Sequence, residues 1–268
     1  MNVLVVDVGG THVKILATGK REPRRFISGP TLTAAQMVAG VKRLARGWKY
    51  DVVSIGYPGA VAHNHPVAEP HNLGPGWMQF DYEGAFGCPV RVINDAAMQA
   101  LGSHAQGKLL FLGLGTGLGS TLVVDGIVVP MELAHLPYRK ATFEDYVGDP
   151  ALKRDGRKKW RKHVEDVITR LIAALGPDDV VIGGGNVRLL EHLPPGCRAG
   201  DNANAFVGGF RMWESARKPV GAKGAAKRRP VRKPVRAKRA AKRRPVRKAG
   251  APRTSGAPSV RRKTAARR

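Results

Sequence analysis

The chain has 268 residues, with 46 Lys and Arg against 20 Asp and Glu, a formal net charge of +26 and 43% hydrophobic residues. This is enough apolar material for a core, but no run is long enough to span a bilayer, and Asp7 cuts the first apolar run too short for a secretory leader. Two cysteines, Cys88 and Cys197, exclude a disulfide framework and a four-thiolate zinc site, so the composition points to a soluble cytoplasmic protein.

Val3–Val8 reads as a strand ending in a Gly pair, and Val13–Ala17 as a second strand returning from it. Apolar residues at Met37, Val38, Val41, Leu44 and Ala45 predict a helix over Thr33–Arg46. Asp51–Gly56 has the pattern of a buried strand and runs into a Tyr57-Pro58-Gly59 turn. Residues 60–88 are rich in Pro and Gly and predict a loop, anchored by Trp77 and Phe80. His63, His65 and His71 in that loop lack the scaffold and spacing of a metal site. Val90–Ile93 predicts a strand running into Asn94-Asp95, and Ala96–His104 a helix. Leu109–Leu112 and Ser120–Val124 predict two strands around a second glycine-rich turn. Trp160, Val164, Val167, Ile168, Leu171, Ile172 and Leu175 mark an amphipathic helix. Val180–Ile182 is a further strand, opening into Gly183–Gly185. Strands alternating with helices indicate an α/β fold.

The charge is unevenly placed. Residues 216–268 hold 22 of the 46 Lys and Arg and no acid, leaving a net of only +4 in residues 1–215. That last segment has no aromatic, Leu, Ile or Met, and it repeats Ala-Ala-Lys-Arg-Arg-Pro-Val-Arg-Lys at 225–233 and 240–248. Such a composition cannot bury enough apolar surface to offset chain entropy, and disorder is the expectation.

Both glycine turns have one plan: apolar strand, Gly/Thr turn, apolar strand. Two lobes facing each other across a cleft would follow. Glycines in a hairpin let backbone N–H groups approach an anion, and Thr11 and Thr116 add hydroxyl donors. Asp7 is placed to hold a Mg²⁺-bound water beside a phosphate. Gly102–Lys108 nearly spells a P-loop, but Leu109 stands where Ser or Thr is needed, and the segment precedes a strand. Gly113, Gly115, Gly117 and Gly119 lack the dinucleotide spacing. The pair Asn94-Asp95 at a strand end suits either a base with an orienting amide or a helix N-cap.

Asp7-Val-Gly-Gly-Thr11, Gly56-Tyr-Pro-Gly59, Asn72-Leu-Gly-Pro-Gly-Trp77, Val92-Ile-Asn-Asp95-Ala96, Gly115-Thr-Gly-Leu-Gly119, Glu132-Leu-Ala-His135 and Gly183-Gly-Gly185 occur in that order. The set resembles the ROK family of sugar kinases and repressors, in the actin/hexokinase-like superfamily, and most of all its polyphosphate glucokinase branch. The resemblance implies a bilobal actin-like, RNase H-like fold, with residues 1–95 as one lobe, 96–215 as the second, its last helix packing back on the first lobe, and 216–268 as a tail. It also implies phosphoryl transfer from ATP or polyphosphate to a hexose, glucose above all.

On the matching positions, Asp95 would be the catalytic base, and Asn94, Glu132, His135 and Glu144 would hold the sugar. Asp7, Gly9, Gly10 and Thr11 would form one phosphate loop, with Asp7 holding Mg²⁺ through water. Gly115, Thr116 and Gly117 would form the other, and Gly183, Gly184 and Gly185 would lie against adenosine. Ala134 stands where the family usually has Gly. No cysteine lies between Cys88 and Cys197, so the structural zinc of many members is not expected. Neither is the repressors' N-terminal helix-turn-helix. Relatives are commonly homodimers, and no membrane role is implied. The tail, which resembles histone-like extensions, would meet DNA, RNA or polyphosphate without sequence specificity. The alternative function is a polyanion- or nucleic-acid-binding protein with a degenerate kinase fold.

Overall fold

The structure, a computed structural model, describes residues 1–214. The basic segment 216–268 and the disorder expected of it lie outside the described residues.

The first half builds one sheet. β1 (Val3–Val8) pairs antiparallel with β2 (His12–Ala17), which pairs antiparallel with β3 (Arg24–Ile27). Helix α1 (Ala34–Leu44) follows, capped by Thr33 and Gln36, which bond reciprocally to each other's backbone. β4 (Val52–Tyr57) then lies parallel to β1. Tyr57, expected in the turn, belongs to the strand. A small hairpin, β5 (Val61–Ala62) and β6 (His65–Pro66), and a short helix α2 (Tyr82–Phe86) occupy the stretch expected to be loop. β7 (Val90–Asn94) completes the order β3-β2-β1-β4-β7.

Trp77 does anchor the loop before α2. It is fully buried against Tyr57, its indole N–H donates to the Gly74 carbonyl at 2.7 Å, and the Glu69 carboxylate accepts from its backbone N–H. The hairpin turn at His63-Asn64 has a second use. The Asn64 amide donates to the Val90 carbonyl at 2.9 Å and accepts from the Val92 N–H at 2.6 Å, standing in for a neighbouring strand at the sheet edge. Among the described residues no three His, Cys, Asp or Glu side chains gather as a metal site.

Helix α3 (Asp95–Ser103) leads into a second sheet of the same plan. β8 (Lys108–Leu114), β9 (Leu118–Val124) and β10 (Ile127–Met131) form an antiparallel meander. A 3₁₀ turn (Leu133–His135), a hairpin of β11 (Pro137–Tyr138) and β12 (Ala141–Thr142), and α4 (Glu144–Val147) come next. α5 (Asp149–Leu175) bends at Gly156, whose φ of 74° is not helical. β13 (Asp179–Gly183) and β14 (Cys197–Ala199) add parallel strands, giving the order β10-β9-β8-β13-β14. α6 (Asn204–Arg211) ends the regular structure. Among the described residues no helix is long and apolar enough to cross a membrane.

Alternation along the strands sorts the core into layers. Leu4, Val6 and Val8 face α1, while Val3 and Val5 pack with Met98 of α3 and Phe206 of α6. In the second sheet Leu110, Leu112 and Leu114 face Trp160, Val164 and Ile168 of α5, while Leu109 and Phe111 pack with Ala100 and Leu101 of α3. α3 therefore has one sheet on either side. It lies close enough to α6 that a Cβ on Gly208 would stand 1.8 Å from the Met98 carbonyl oxygen, and one on Gly102 1.9 Å from that of Asn204.

Candidate active site

The head of α3 is approached by both sheets. Asp7 shares the face of β1 that carries Val3 and Val5, and it is in register with Gly56 of β4. A Cβ on Gly56 would lie 2.3 Å from Met98 Cε and 3.5 Å from Asp95 Cα. β4 thus runs close to α3 at Gly56, between Asp7 and Asp95, where a Cβ would have to displace the tip of Met98. From the other sheet, Gly119 of β9 approaches the head of α3 so closely that a Cβ on it would be 3.5 Å from that of Ala96.

Asp7 is 8% exposed. Burial raises its pKa, opposed by the ammonium of Lys14, which sits 3.6 Å from Oδ2. Lys14 is Asp7's partner in the β1–β2 register. It was missed in the sequence, although a tight hairpin with period-two alternation places the two side chains opposite. The half-buried Asp95 carboxyl is pushed up to about 7, first by desolvation and then by the negative charge of Asp7, against the lowering effect of the Ala96 N–H that Oδ1 accepts at 2.8 Å. A carboxyl tuned near neutrality at a strand-to-helix junction is suited to exchange a proton.

Asn94 is the N-cap of α3: its Oδ1 accepts from the Ala97 N–H at 3.1 Å. Its amide also donates to the Gly59 carbonyl at 3.1 Å, tying down the turn after β4. Of the two readings of Asn94, the structure shows the cap.

The Gly9-Gly10-Thr11 turn is closed by the Gly9 N–H donating to the His12 carbonyl at 3.0 Å. Ser28, just past β3, braces it: its hydroxyl donates to the Gly9 carbonyl at 2.8 Å and its N–H to the Thr11 carbonyl at 3.0 Å. Gly10 and Thr11 remain exposed, as does Thr116 in the other turn.

That second turn, Gly115–Gly117, is held by two other segments. The Asp149 N–H donates to the Gly115 and Thr116 carbonyls, both at 3.1 Å, and the Asn186 N–H donates to the Leu114 carbonyl at 3.1 Å. Gly184 has a φ of +85°, and a Cβ there would stand 2.2 Å from the Leu114 carbonyl oxygen. Both its conformation and its closeness to β8 require glycine. The glycines at 183–185 therefore abut the turn at 115–117.

Glu144 projects onto the same turn, where it accepts from the Leu118 N–H at 3.3 Å and fills the space a Gly117 side chain would need. Glu132 and His135 pair with each other at 3.8 Å, with 76% and 70% of their side chains exposed. Among the described residues, no hydrogen bond or ion pair joins them to Asn94, Asp95 or Glu144. Their segment is fixed by Ser120, whose hydroxyl donates to the Met131 carbonyl and accepts from the Leu133 N–H. A cavity of about 540 Å³, lined by Arg91, Ile93, Val128 and Trp213 among others, includes none of the glycine turns.

The ROK family model matches residues 3–130, from the first strand through β10. Over that stretch, just under half of its length, the chain resembles the ROK family. Among similar proteins, the polyphosphate glucokinase of Mycobacterium tuberculosis (strain CDC 1551 / Oshkosh) is 27% identical over 214 residues, covering 71% of this chain and 80% of that protein. The polyphosphate/ATP-glucomannokinase of Arthrobacter sp. strain KM superposes with a TM-score of 0.64 at 23% identity, covering 78% of this chain and 96% of that one. The ROK hexokinase of Thermus thermophilus also gives 0.64, at 22% identity, over 79% and 97%. At these identities the two structural likenesses are of fold, the two-sheet arrangement of these sugar kinases.

Proposed function

We propose that this chain is a sugar kinase, transferring a phosphoryl group from ATP or polyphosphate to a hexose, with glucose as the first acceptor to test. The observation that carries this reading is Asp95: a carboxyl pushed up to about 7, heading the helix that both sheets share, beside Asp7. The curated relatives' name, polyphosphate glucokinase, supports glucose and polyphosphate, and ATP is named with polyphosphate for the Arthrobacter enzyme of like fold.

In this reading the sugar hydroxyl attacks the terminal phosphorus as Asp95 takes its proton. The bridging P–O bond breaks, and its electron pair leaves with the remaining phosphate. The two glycine turns align the donor, and Asn94 with Glu132, His135 and Glu144 orients the sugar. Such transfer depends on positioning and charge stabilisation. The hard carboxylate oxygens of Asp7 fit Mg²⁺ held through water, which supplies neutralisation of phosphate charge when bound. Lys14 holds Asp7 in place for it. A coupled assay with glucose, Mg²⁺ and each donor is expected to give glucose 6-phosphate. Absence of product with both donors would reject glucose as acceptor.

The 22 Lys and Arg of residues 216–268 support a second role, in which that segment gathers polyanions through counterion release. If polyphosphate is the donor, the segment raises its local concentration at the cleft. A chain truncated at Ala216 should then show a higher KM for polyphosphate and an unchanged KM for ATP. Equal values in both chains would reject the role.

A further inference from the structure

We propose that Asp149, paired with Asn186, is a donor-specificity residue that favours a nucleoside triphosphate over an inorganic polyphosphate chain. This rests on the kinase reading above and deepens it.

The placement comes from three segments that meet at one point. Asp149 follows α4 and is bound through its backbone N–H to the Gly115–Gly117 turn. Asn186 follows the glycines at 183–185, and its side-chain amide donates to both Asp149 Oδ1 and the Gly115 carbonyl. The carboxylate therefore stands between the turn read as a phosphate loop and the turn read as facing adenosine. Both turns are open beside it, since a Cβ on Gly115 or Gly185 would meet nothing within 4 Å. Asp149 is half-buried, and among the described residues no hydrogen bond reaches its Oδ2.

A carboxylate oxygen with a free lone pair at this point selects by chemistry. The nucleoside portion of a donor is uncharged and carries hydroxyl and amine donors that such an oxygen can accept. The corresponding portion of a polyphosphate chain offers only acceptor oxygens and a negative charge on every unit. The first donor gains a charge-assisted hydrogen bond, while the second meets like charge with no compensating donor.

Asp149→Asn isolates this effect. The substitution keeps the oxygen that accepts from Asn186 and the backbone bonds to the turn, while it removes the charge and turns the free acceptor oxygen into an N–H donor. Calorimetric titration of the full chain with ATP and with tripolyphosphate, each with Mg²⁺, should show the Kd for ATP rising about tenfold. The Kd for tripolyphosphate should hold or fall. Parallel shifts for the two ligands, or no shift in either, would overturn the proposal. Wild-type chain that binds neither ligand would overturn the donor cleft itself. A changed Kd ratio in a chain that phosphorylates no sugar would leave donor selection standing and reject only the acceptor assignment.

Discussion

Asp95→Asn should abolish most sugar phosphorylation, lowering kcat by about 10²- to 10⁴-fold, the range spanned by general-base catalysis. Asparagine keeps the side-chain oxygen that accepts from the Ala96 N–H at 2.8 Å, so the head of α3 should hold its shape. The KM for the sugar should change much less than kcat. The pH profile gives an independent check on the same residue. A base must be ionised to act, and this carboxyl is pushed up to about 7. The kcat/KM of wild type should therefore rise with pH, about tenfold per unit below pH 7, and level off above it. The Asp7 charge contributes to that elevation, so Asp7→Asn should move the inflection to lower pH in whatever activity remains. Full activity in Asp95→Asn would remove it as the base.

Gly208→Ala should cost about 3 kcal/mol of stability, at the upper end of overpacking effects. The new methyl would lie 1.8 Å from the Met98 carbonyl oxygen, and the atom it meets is helix backbone, which cannot rotate away as a side-chain tip can. For a domain of this size the melting temperature should fall by roughly 10 °C. Calorimetry or thermal circular dichroism would measure it. A Tm within a degree or two of wild type would mean that α3 and α6 separate without loss. Gly102→Ala meets the Asn204 carbonyl oxygen from the facing helix and should behave alike.

The elements legible in the sequence were those whose pattern is local. Val3–Val8 and Val180–Ile182 are unbroken apolar runs, and the heptad-like spacing from Trp160 to Leu175 marks one face of α5. The start of that helix escaped notice because residues 153–162 are dense in Lys and Arg and contain Gly156, where the helix bends. β3 was missed because Arg24-Arg25-Phe26-Ile27 is an edge strand without clean alternation. A last helix was expected, but the residues of α6 were not picked out because glycines at 208 and 209 count against a helix when read alone. Their value lies in the close approach to α3 and to Val5, which only the packed structure reveals.

The site divided in the same way. Asp7, Asp95 and the three glycine stretches stood out by residue type beside a turn. Asn94 looked like either a cap or a ligand, and it has the cap's hydrogen bond. Lys14, Ser28, Asp149 and Asn186 were silent, because their partners lie across a sheet or on another element. The exposed Glu132–His135 pair is the part of the sugar assignment that leans most on family likeness.

The two sheets of common plan are unequal where they are superficially most alike. Counted back from each glycine turn, the last pair before it is apolar in both, Val8 with Val13 and Leu114 with Leu118. The next pair is Asp7 with Lys14 in one sheet and Gly113 with Gly119 in the other. One copy of the scaffold spends that position on charge and the other on emptiness, and the head of α3 needs both: a field on one flank and clearance on the other. A Cβ at Gly119 would only touch that of Ala96, so a side chain longer than alanine is what would reach the head of α3 from the sheet that does not carry Asp95.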